Sequence, residues 1–485
     1  MNYSLVQGIV GRLLIGYAAT MFIPLVLAFF KDESSKWAFL LTLFMTVSLA
    51  AAMVYFRKPS QEKMSIRESF VIVGGAWALT SLLGALPFWM SGGVPTYIDA
   101  LFESVSGLTT TGSSVINDVE ALPLSILLWR SITHWLGGIG IIVLFIILLP
   151  STGFGAVHLF NAEVPGPLSK RTMPRIRDTA ITIWKIYAFF TIVLVVLLMW
   201  AGMSPFDAIN HGFSTISAGG FSTKNTSMMH YNSLGVELVV IVFIIIAGGN
   251  FRIYLEVWTK KSFKPFKNTE YLTYLAIILS STLLIVGGLW LAQDKPPDYA
   301  VRHALFQVVS LVTGTGFSST DYDQWPGITK LILLVLMFIG GCAGSTTGGM
   351  KVARIMLLTK HLWAMLTRGL HPRAVSSIKL DGRPINAAAV NMVSVFFFLY
   401  VGVFALASIL MAGTGLEPFD AMSAVAASLG NVGPGFGIVG PTTTYAGITL
   451  FGKFILSLCM LLGRLELFTL LILLRPEFWR TKGGW

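Results

Sequence analysis

Ser217-Ala218-Gly219-Gly220-Phe221 decides the fold, because the segment leading into it occurs four times in the chain. Counting back thirteen residues from Gly220 reaches Asp207, followed by Ala208. The same gapless count links Gly112 to Asp99-Ala100, Gly433 to Asp420-Ala421 and Gly316 to His303-Ala304. The copies end in Leu108-Thr109-Thr110-Thr111-Gly112, Ile216-Ser217-Ala218-Gly219-Gly220, Val312-Thr313-Gly314-Thr315-Gly316 and Leu429-Gly430-Asn431-Val432-Gly433. Four such turns in one chain predict a four-sided ring.

The surroundings of these turns are apolar. Of 485 residues, 54% are hydrophobic and only 12% charged, and the mean hydropathy is +0.74, far outside the range of soluble domains. The reading is an integral membrane protein. A formal charge of +11 raises nucleic acid as a partner, but the cations fall in short loops between apolar spans and form no basic face, so nucleic acid is set aside. Cys342 and Cys459 both stand in apolar stretches, which supports neither a disulfide framework nor a thiolate metal site. The opening run, Tyr3 to Phe30, lacks a short h-region and a small-x-small cleavage site and reads as an uncleaved span.

A helix needs about 20 apolar residues to cross a hydrocarbon layer about 30 Å thick. That rule gives two leading helices, 5–30 and 37–56, and then one unit used four times: a long helix, a short segment entering a Gly-rich tail, and a second long helix. The first helices of the units are 70–90, 180–203, 271–293 and 388–413; the second are 124–149, 234–255, 327–357 and 446–474. The expectation is an all-α membrane protein of ten transmembrane helices and four re-entrant pore loops in pseudo-fourfold arrangement around one pore. It divides into a leading pair at 1–60 and pore repeats at 61–155, 156–262, 263–370 and 371–485. The short segments hold about eleven residues and cannot cross as helices. They are re-entrant, since irregular backbone at membrane depth is tolerated only inside protein or against water.

Lys and Arg cluster on alternate connections. One face carries Arg57, Lys58, Lys63 and Arg67; Lys170, Arg171, Arg175 and Arg177; Arg252, Lys260, Lys261, Lys264 and Lys267; Lys351, Arg354, Lys360, Arg368, Arg373, Lys379 and Arg383; and Arg475, Arg480 and Lys482. The positive-inside rule makes that face cytoplasmic, with both termini inside and all four short segments entering from outside.

A monovalent cation leaving water needs oxygen ligands, and rings of backbone carbonyls provide them without a fixed charge that would trap the ion. The candidate filter is Thr110, Thr111 and Gly112; Ala218, Gly219 and Gly220; Gly314, Thr315 and Gly316; and Asn431, Val432 and Gly433. Asp99, Asp207 and Asp420 read as N-caps of the short helices at least as well as ion ligands, and His303 at the fourth position favours the caps.

Two leading spans followed by four helix, pore loop and helix units, each loop ending in Gly, resemble the Trk/Ktr/HKT superfamily of potassium transporters over essentially the whole chain. In that superfamily Gly at this position of every repeat goes with potassium, whereas Ser in the first repeat goes with sodium in some plant members. Gly112, Gly220, Gly316 and Gly433 therefore imply K+ as the transported ion. The resemblance also implies a homodimer, surrounding membrane lipid and a TrkA-like cytoplasmic nucleotide-binding regulatory subunit, in a bacterial inner membrane.

The second helix of repeat three is interrupted by Gly340-Gly341-Cys342-Ala343-Gly344-Ser345-Thr346-Thr347-Gly348-Gly349-Met350. Each Gly costs a helix about 1 kcal/mol relative to Ala. The run reads as a gating loop, which the resemblance implies, or as a helix-packing seam. It is no phosphate-binding loop, because Met350 stands where Lys is needed and no strand precedes it. In the fourth repeat Arg464 falls inside the 446–474 helix, too deep to face lipid, and is expected to face the pore or an acidic partner; the resemblance makes it part of the gate.

His134 and His211 lack i, i+4 partners and suggest no metal, and Asn225-Thr226-Ser227 reads as a chance sequon. No nucleophile stands beside a placed base, so the chain is not read as an enzyme. Two alternatives remain: a symporter driven by protons or sodium, with Glu466 the main carboxylate to carry a proton, and a non-conducting scaffold or sensor.

Overall fold

The computed structural model describes residues 1–57, 65–140, 176–371 and 378–480. Lys58, Lys63, Lys170, Arg171, Arg175, Arg373 and Lys482 lie outside these residues, as do 141–149 of the 124–149 helix and the repeat boundaries at 60 and 155.

The leading pair is α1 (Tyr3–Phe30) and α2 (Ser35–Tyr55), packed closely enough that a Cβ on Gly11 would stand 3.1 Å from the carbonyl of Ala50. Small residues serve this purpose in lipid, where acyl chains compete with side chains for apolar contact and only tight packing favours the helix pair. Repeat one follows with α3 (Ile66–Met90), α4 (Tyr97–Leu108) and α5 (Leu124–Ile139). Ser65 and Glu68 form a capping box that starts α3. Repeat two holds α6 (Ile176–Trp200), α7 (Pro205–Ile216), α8 (Leu234–Gly248) and α9 (Phe251–Lys260). Repeat three holds α10 (Thr269–Gln293), α11 (Pro297–Val312), α12 (Gly327–Leu336) and α13 (Val352–Leu370). A two-stranded hairpin, β1 (Lys379–Leu380) and β2 (Arg383–Pro384), leads to repeat four: α14 (Ala387–Ala412), α15 (Pro418–Leu429), α16 (Leu450–Arg464), α17 (Phe468–Leu473) and α18 (Pro476–Trp479).

Among the described residues, α1, α2, α3, α6, α10 and α14 are long and apolar enough to cross a membrane, and α8 with α9 makes a seventh if that bent pair is one span. The two leading helices and the four first helices begin and end within four residues of the expected bounds. The second helices differ. The expected 234–255 helix breaks at Gly249, whose backbone is extended, and Asn250, whose side chain caps α9; the axis turns by 92°. The expected 446–474 helix stops at Arg464, because Glu466 and Leu467 take positive φ and Glu466 is drawn into an ion pair with Arg354. Arg464 is therefore the last residue of α16, not a mid-helix cation.

The short helices α4, α7, α11 and α15 sit inside the assembly. The second helix of one repeat packs on the short helix of the next: α5 on α7, α8 on α11, α16 on α4. Ion pairs reinforce two of these junctions, Lys453 Nζ to Asp99 Oδ1 at 2.7 Å and Arg302 bidentate to Glu237 with both contacts 2.8 Å. Between repeats three and four, the Tyr322 hydroxyl donates to Gly435 O (3.1 Å) and Gly437 N–H to Asp323 Oδ2 (3.0 Å).

The aspartates are not N-caps. Thr96 and Ser204 cap α4 and α7, and Asp99 and Asp207 stand three residues on, each receiving its cap's hydroxyl at 2.7 and 2.9 Å. Asp420 likewise lies in the first turn behind Glu417. An acid at this position both answers the cap and faces the positive helix end.

Candidate ion pathway

The four short helices end alike. In each, the residue two before the repeated Gly is left-handed: Thr110 (φ 56°), Ala218 (φ 56°), Gly314 (φ 69°) and Asn431 (φ 54°). Two backbone bonds close each end in the Schellman pattern. In α4 these are Thr111 N–H to Ser106 O (2.9 Å) and Thr110 N–H to Gly107 O (3.1 Å); α7, α11 and α15 repeat them from Gly219, Thr315 and Val432 at 2.8 Å each. Only Gly314 takes this conformation without a steric penalty; Asn431 tolerates it, and β-branched Thr110 is the outlier.

Past these caps the four tails meet in cyclic order. A Cβ on Gly112 would lie 2.7 Å from Gly220 N, one on Gly220 2.6 Å from Thr315 O, one on Gly316 1.9 Å from Val432 O, and one on Gly433 2.6 Å from Thr111 O. Repeat one thus touches two, two touches three, three touches four, and four returns to one. No side chain fits at these seams. Thr111, Thr315 and Asn431 are fully buried, and the Asn431 amide donates to Thr111 Oγ1 and to Met460 O, both at 2.9 Å. The ring is not fully fourfold: Gly433 O accepts from the Ser113 hydroxyl (3.0 Å) and the Tyr445 hydroxyl (2.7 Å), which occupy both of its lone pairs.

Behind the ring stands a polar brace that the sequence reading missed. His134 is wholly buried on α5; its Nδ1 lies 2.7 Å from Gly107 O and its Nε2 accepts from Phe221 N–H at 3.1 Å. Those two partners fix a neutral imidazole with the proton on Nδ1, joining the end of α4 to the tail of repeat two. The ring stacks on Phe221 at 4.1 Å, with the Arg130 guanidinium on that phenyl at 4.0 Å. Arg130 also donates to Glu103 (2.8 Å) and Ser222 O (3.0 Å), while Glu103 accepts from Val115 N–H at 3.1 Å. The His/Phe/Arg/Glu group is spread over more than a hundred positions, with no spacing to betray it. His211 belongs to the same layer, between Asp207 O (2.8 Å) and Ser222 Oγ (2.9 Å). Asn225 of the apparent sequon links repeats one and two through Val119 N–H (2.7 Å) and Asp118 (3.0 Å).

The interrupted segment between α12 and α13 lies under the ring. A backbone bridge, Gly340 N–H to Met350 O (2.9 Å) and Met350 N–H to Phe338 O (3.1 Å), closes its two ends. Gly348 lies against Gly430 O and Asn431, close enough that a Cβ would be 2.7 Å from that oxygen. Cys342 N–H reaches Gly248 O (2.8 Å), and the Thr346 hydroxyl donates to Ile216 O (3.2 Å) at the end of α7. Glu270, buried at the start of α10, accepts from Ala343 N–H (2.6 Å) and Ala353 N–H (3.3 Å), one inside the segment and one just beyond it. Within the segment, Lys351 donates to Thr347 O and, at 3.0 Å, to Thr347 Oγ1, and Ser345 Oγ lies 2.8 Å from that same hydroxyl. Gly344 and Gly349 both take positive φ, and Gly341 N–H donates to the Thr347 hydroxyl oxygen.

Arg464 tethers this segment from the other side. Its guanidinium donates to Thr346 O (2.7 Å), Gly137 O (2.5 Å) and Gly138 O (3.1 Å). These three carbonyls receive its N–H groups, while Glu466, two residues on, pairs with Arg354. Those at Gly137 and Gly138 terminate α5, where a helix presents its negative end.

The apolar helices and the four inward-facing caps define a multi-pass membrane transport protein. The family model for TrkH, described as a cation transport protein, matches residues 35–480, and the chain belongs to that family. It is a transporter, not an enzyme. The chain is 37% identical to the Trk system potassium uptake protein TrkH of Halomonas elongata, with 99% of this chain and 100% of that protein covered. It is 38% identical to TrkH of Escherichia coli K12 over the same shares, and 35% identical to TrkG of that strain, with 96% of each chain covered. The crystal structure of the potassium transporter TrkH from Vibrio parahaemolyticus superposes with a TM-score of 0.89 at 38% identity, covering 99% of this chain and 100% of that one.

Proposed function

We propose that the chain takes up potassium across the bacterial inner membrane through one pore, whose filter is built from Thr110–Gly112, Ala218–Gly220, Gly314–Gly316 and Asn431–Gly433. The observation that carries this reading is the cyclic contact of the four Gly seams. It brings four stretches of backbone around one axis with no side chain between them, the arrangement that lets carbonyl oxygens replace an ion's water. Each short helix also turns its carboxyl end toward the ring, and that end favours cations. The names borne by the relatives supply the ion, and potassium is carried over to this chain on that ground.

In this proposal ten spans surround four re-entrant loops, in the leading pair and four repeats bounded as the sequence suggests, with both termini cytoplasmic. The Gly340–Met350 segment is the gate, Arg464 locks it, and a TrkA-like nucleotide-binding subunit releases it; two copies of the chain form the functional dimer. The segment's contacts with Gly430, Asn431 and Ile216 support the gate, because they set it directly beneath the ring.

Rubidium flux into liposomes holding the purified chain, without a proton gradient, tests the reading. Uptake blocked by potassium and little affected by sodium or lithium is expected. Uptake that begins only when a proton or sodium gradient is imposed would establish the symporter instead. Silence in both conditions that persists after the cytoplasmic subunit is added would leave the scaffold.

A further inference from the structure

We infer that the segment from Asn250 to Asn268 is a membrane-surface element that binds anionic phospholipid headgroups. Three observations converge on it. The first is direction: α9 leaves α8 at 92°, so if α8 runs across the membrane, α9 runs along its plane. The break is built in, with Asn250 accepting from Arg252 N–H at 2.9 Å to start the new helix.

The second is the division of its faces. Phe251 and Ile253 are buried, the Tyr254 hydroxyl donates to Ile246 O (2.8 Å), and Tyr254, Phe266 and Tyr271 form a run of ring contacts that fixes the segment against α8 and α10. The outward face carries Arg252, Glu256 and Lys260 one turn apart, joined at 3.2 and 2.8 Å. A solvent-facing charged stripe excludes the acyl region, where a lipid-facing charge costs several kcal/mol. Trp258 and Phe263 are 72% and 79% exposed on the same element, and such aromatics partition to the headgroup boundary.

The third is charge. Five cations, Arg252, Lys260, Lys261, Lys264 and Lys267, share nineteen residues with one acid, Glu256. Glu256 is taken up by Arg252 and Lys260. Lys261, Lys264 and Lys267 are exposed and make no ion pair among the described residues. Of the carboxylates beside the segment, Asp381 in the hairpin turn accepts from Thr269 N–H (2.9 Å) and the Asn268 amide (2.7 Å), and buried Glu270 accepts from Ala343 and Ala353 N–H. Three free ammonium groups beside two exposed aromatic rings match a phosphate layer above acyl chains.

Native mass spectrometry of the full chain, delipidated and then titrated with phosphatidylglycerol against phosphatidylethanolamine, tests this. The wild type is expected to prefer phosphatidylglycerol by about tenfold or more, taking each lysine near a charged surface to contribute up to about fivefold. The triple variant K261Q/K264Q/K267Q should lose that preference while unfolding at the same temperature and carrying rubidium at the same rate in neutral liposomes. W258A/F263A should weaken retention of both lipids alike. Equal retention by the wild type, or an undiminished preference in the triple variant, would overturn the inference. So would protection of these lysines from acetylation by the cytoplasmic subunit but not by phosphatidylglycerol vesicles, which would assign the face to a protein.

Discussion

The ring and the layer beneath it follow opposite rules. In the ring, four tails of different sequence share the same left-handed residue and the same pair of closing bonds, and each touches the next repeat, although Gly220 lacks the positive φ of Gly112, Gly316 and Gly433. In the layer beneath, helices that occupy equivalent places end in different ways. α8 passes into α9 through a 92° turn, α12 gives way to the fifteen-residue stretch 337–351, and α16 halts at Arg464 before two residues of positive φ. Symmetry is kept where four backbones must present themselves to one axis. It is abandoned where one repeat must act on the others: the segment of repeat three, the cation of repeat four and the carbonyls of repeat one meet at a single guanidinium.

The contrast is broken most severely at the ring. Gly316→Val puts a branched side chain where even a Cβ would lie 1.9 Å from Val432 O, and rubidium flux should fall at least about a hundredfold; Gly316→Ser, whose Cβ meets the same oxygen with less bulk beyond it, should lower flux less and narrow the ratio of potassium to sodium in the flux that remains. An unchanged ratio in the serine variant would remove repeat three from selectivity. Next in size is the brace. Glu103→Gln leaves buried Arg130 without its counter-charge and should lower stability by about 3–5 kcal/mol, read as a fall in the unfolding temperature in detergent. A fall of only a degree or two would mean that Ser222 O and Phe221 suffice to hold the guanidinium.

The lower layer is expected to answer in the opposite direction. Arg464→Ala removes three hydrogen bonds to carbonyls and should raise resting flux roughly tenfold, as loss of charge-assisted contacts of about 1.5–3 kcal/mol each frees the segment in part. Unaltered flux would take Arg464 out of the gate. Smallest is Thr110→Gly, which relieves a β-branched residue held at φ 56° and should stabilise the protein by about 1 kcal/mol or less once glycine's greater freedom when unfolded is subtracted. Destabilisation there would show that the Thr110 side chain contributes packing that outweighs its strain.

Much of this was legible in the sequence. The thirteen-residue spacing located all four short helices because the repeats carry no insertions there, and the leading pair and the first helix of each unit followed from hydropathy. Two breaks were not seen. Gly248-Gly249-Asn250 contains its own signal, a flexible pair and then a capping residue, yet its apolar flanks resemble one continuous span. Leu465 to Leu467 contains no breaker; that turn depends on Arg354 drawing Glu466 aside from more than a hundred positions away. The cap reading of the aspartates fails because each stands three residues inside its helix, behind Thr96, Ser204 or Glu417, and the repeat spacing is counted from the acid. His134 was passed over because its partners, Gly107 and Phe221, are neighbours only once the ring has closed.

The bridge that joins Gly340 and Met350 has a consequence for how this layer can move. Ile339 and Met350 are paired across it, so the stretch between them hangs from a clasp and does not connect two helices in tension. Its shape can change without α12 and α13 sliding or turning, because the clasp already carries the entropic cost of bringing the ends together. Rearrangement then involves a compact loop of about ten residues, whose motions fall in the nanosecond to microsecond range, with no piston stroke of a whole helix. In the proposed gate, the bonds of Arg464 to Thr346, Gly137 and Gly138 and those of Glu270 to Ala343 and Ala353 would set the height of that local barrier, and the spans around it could stay still while it is crossed.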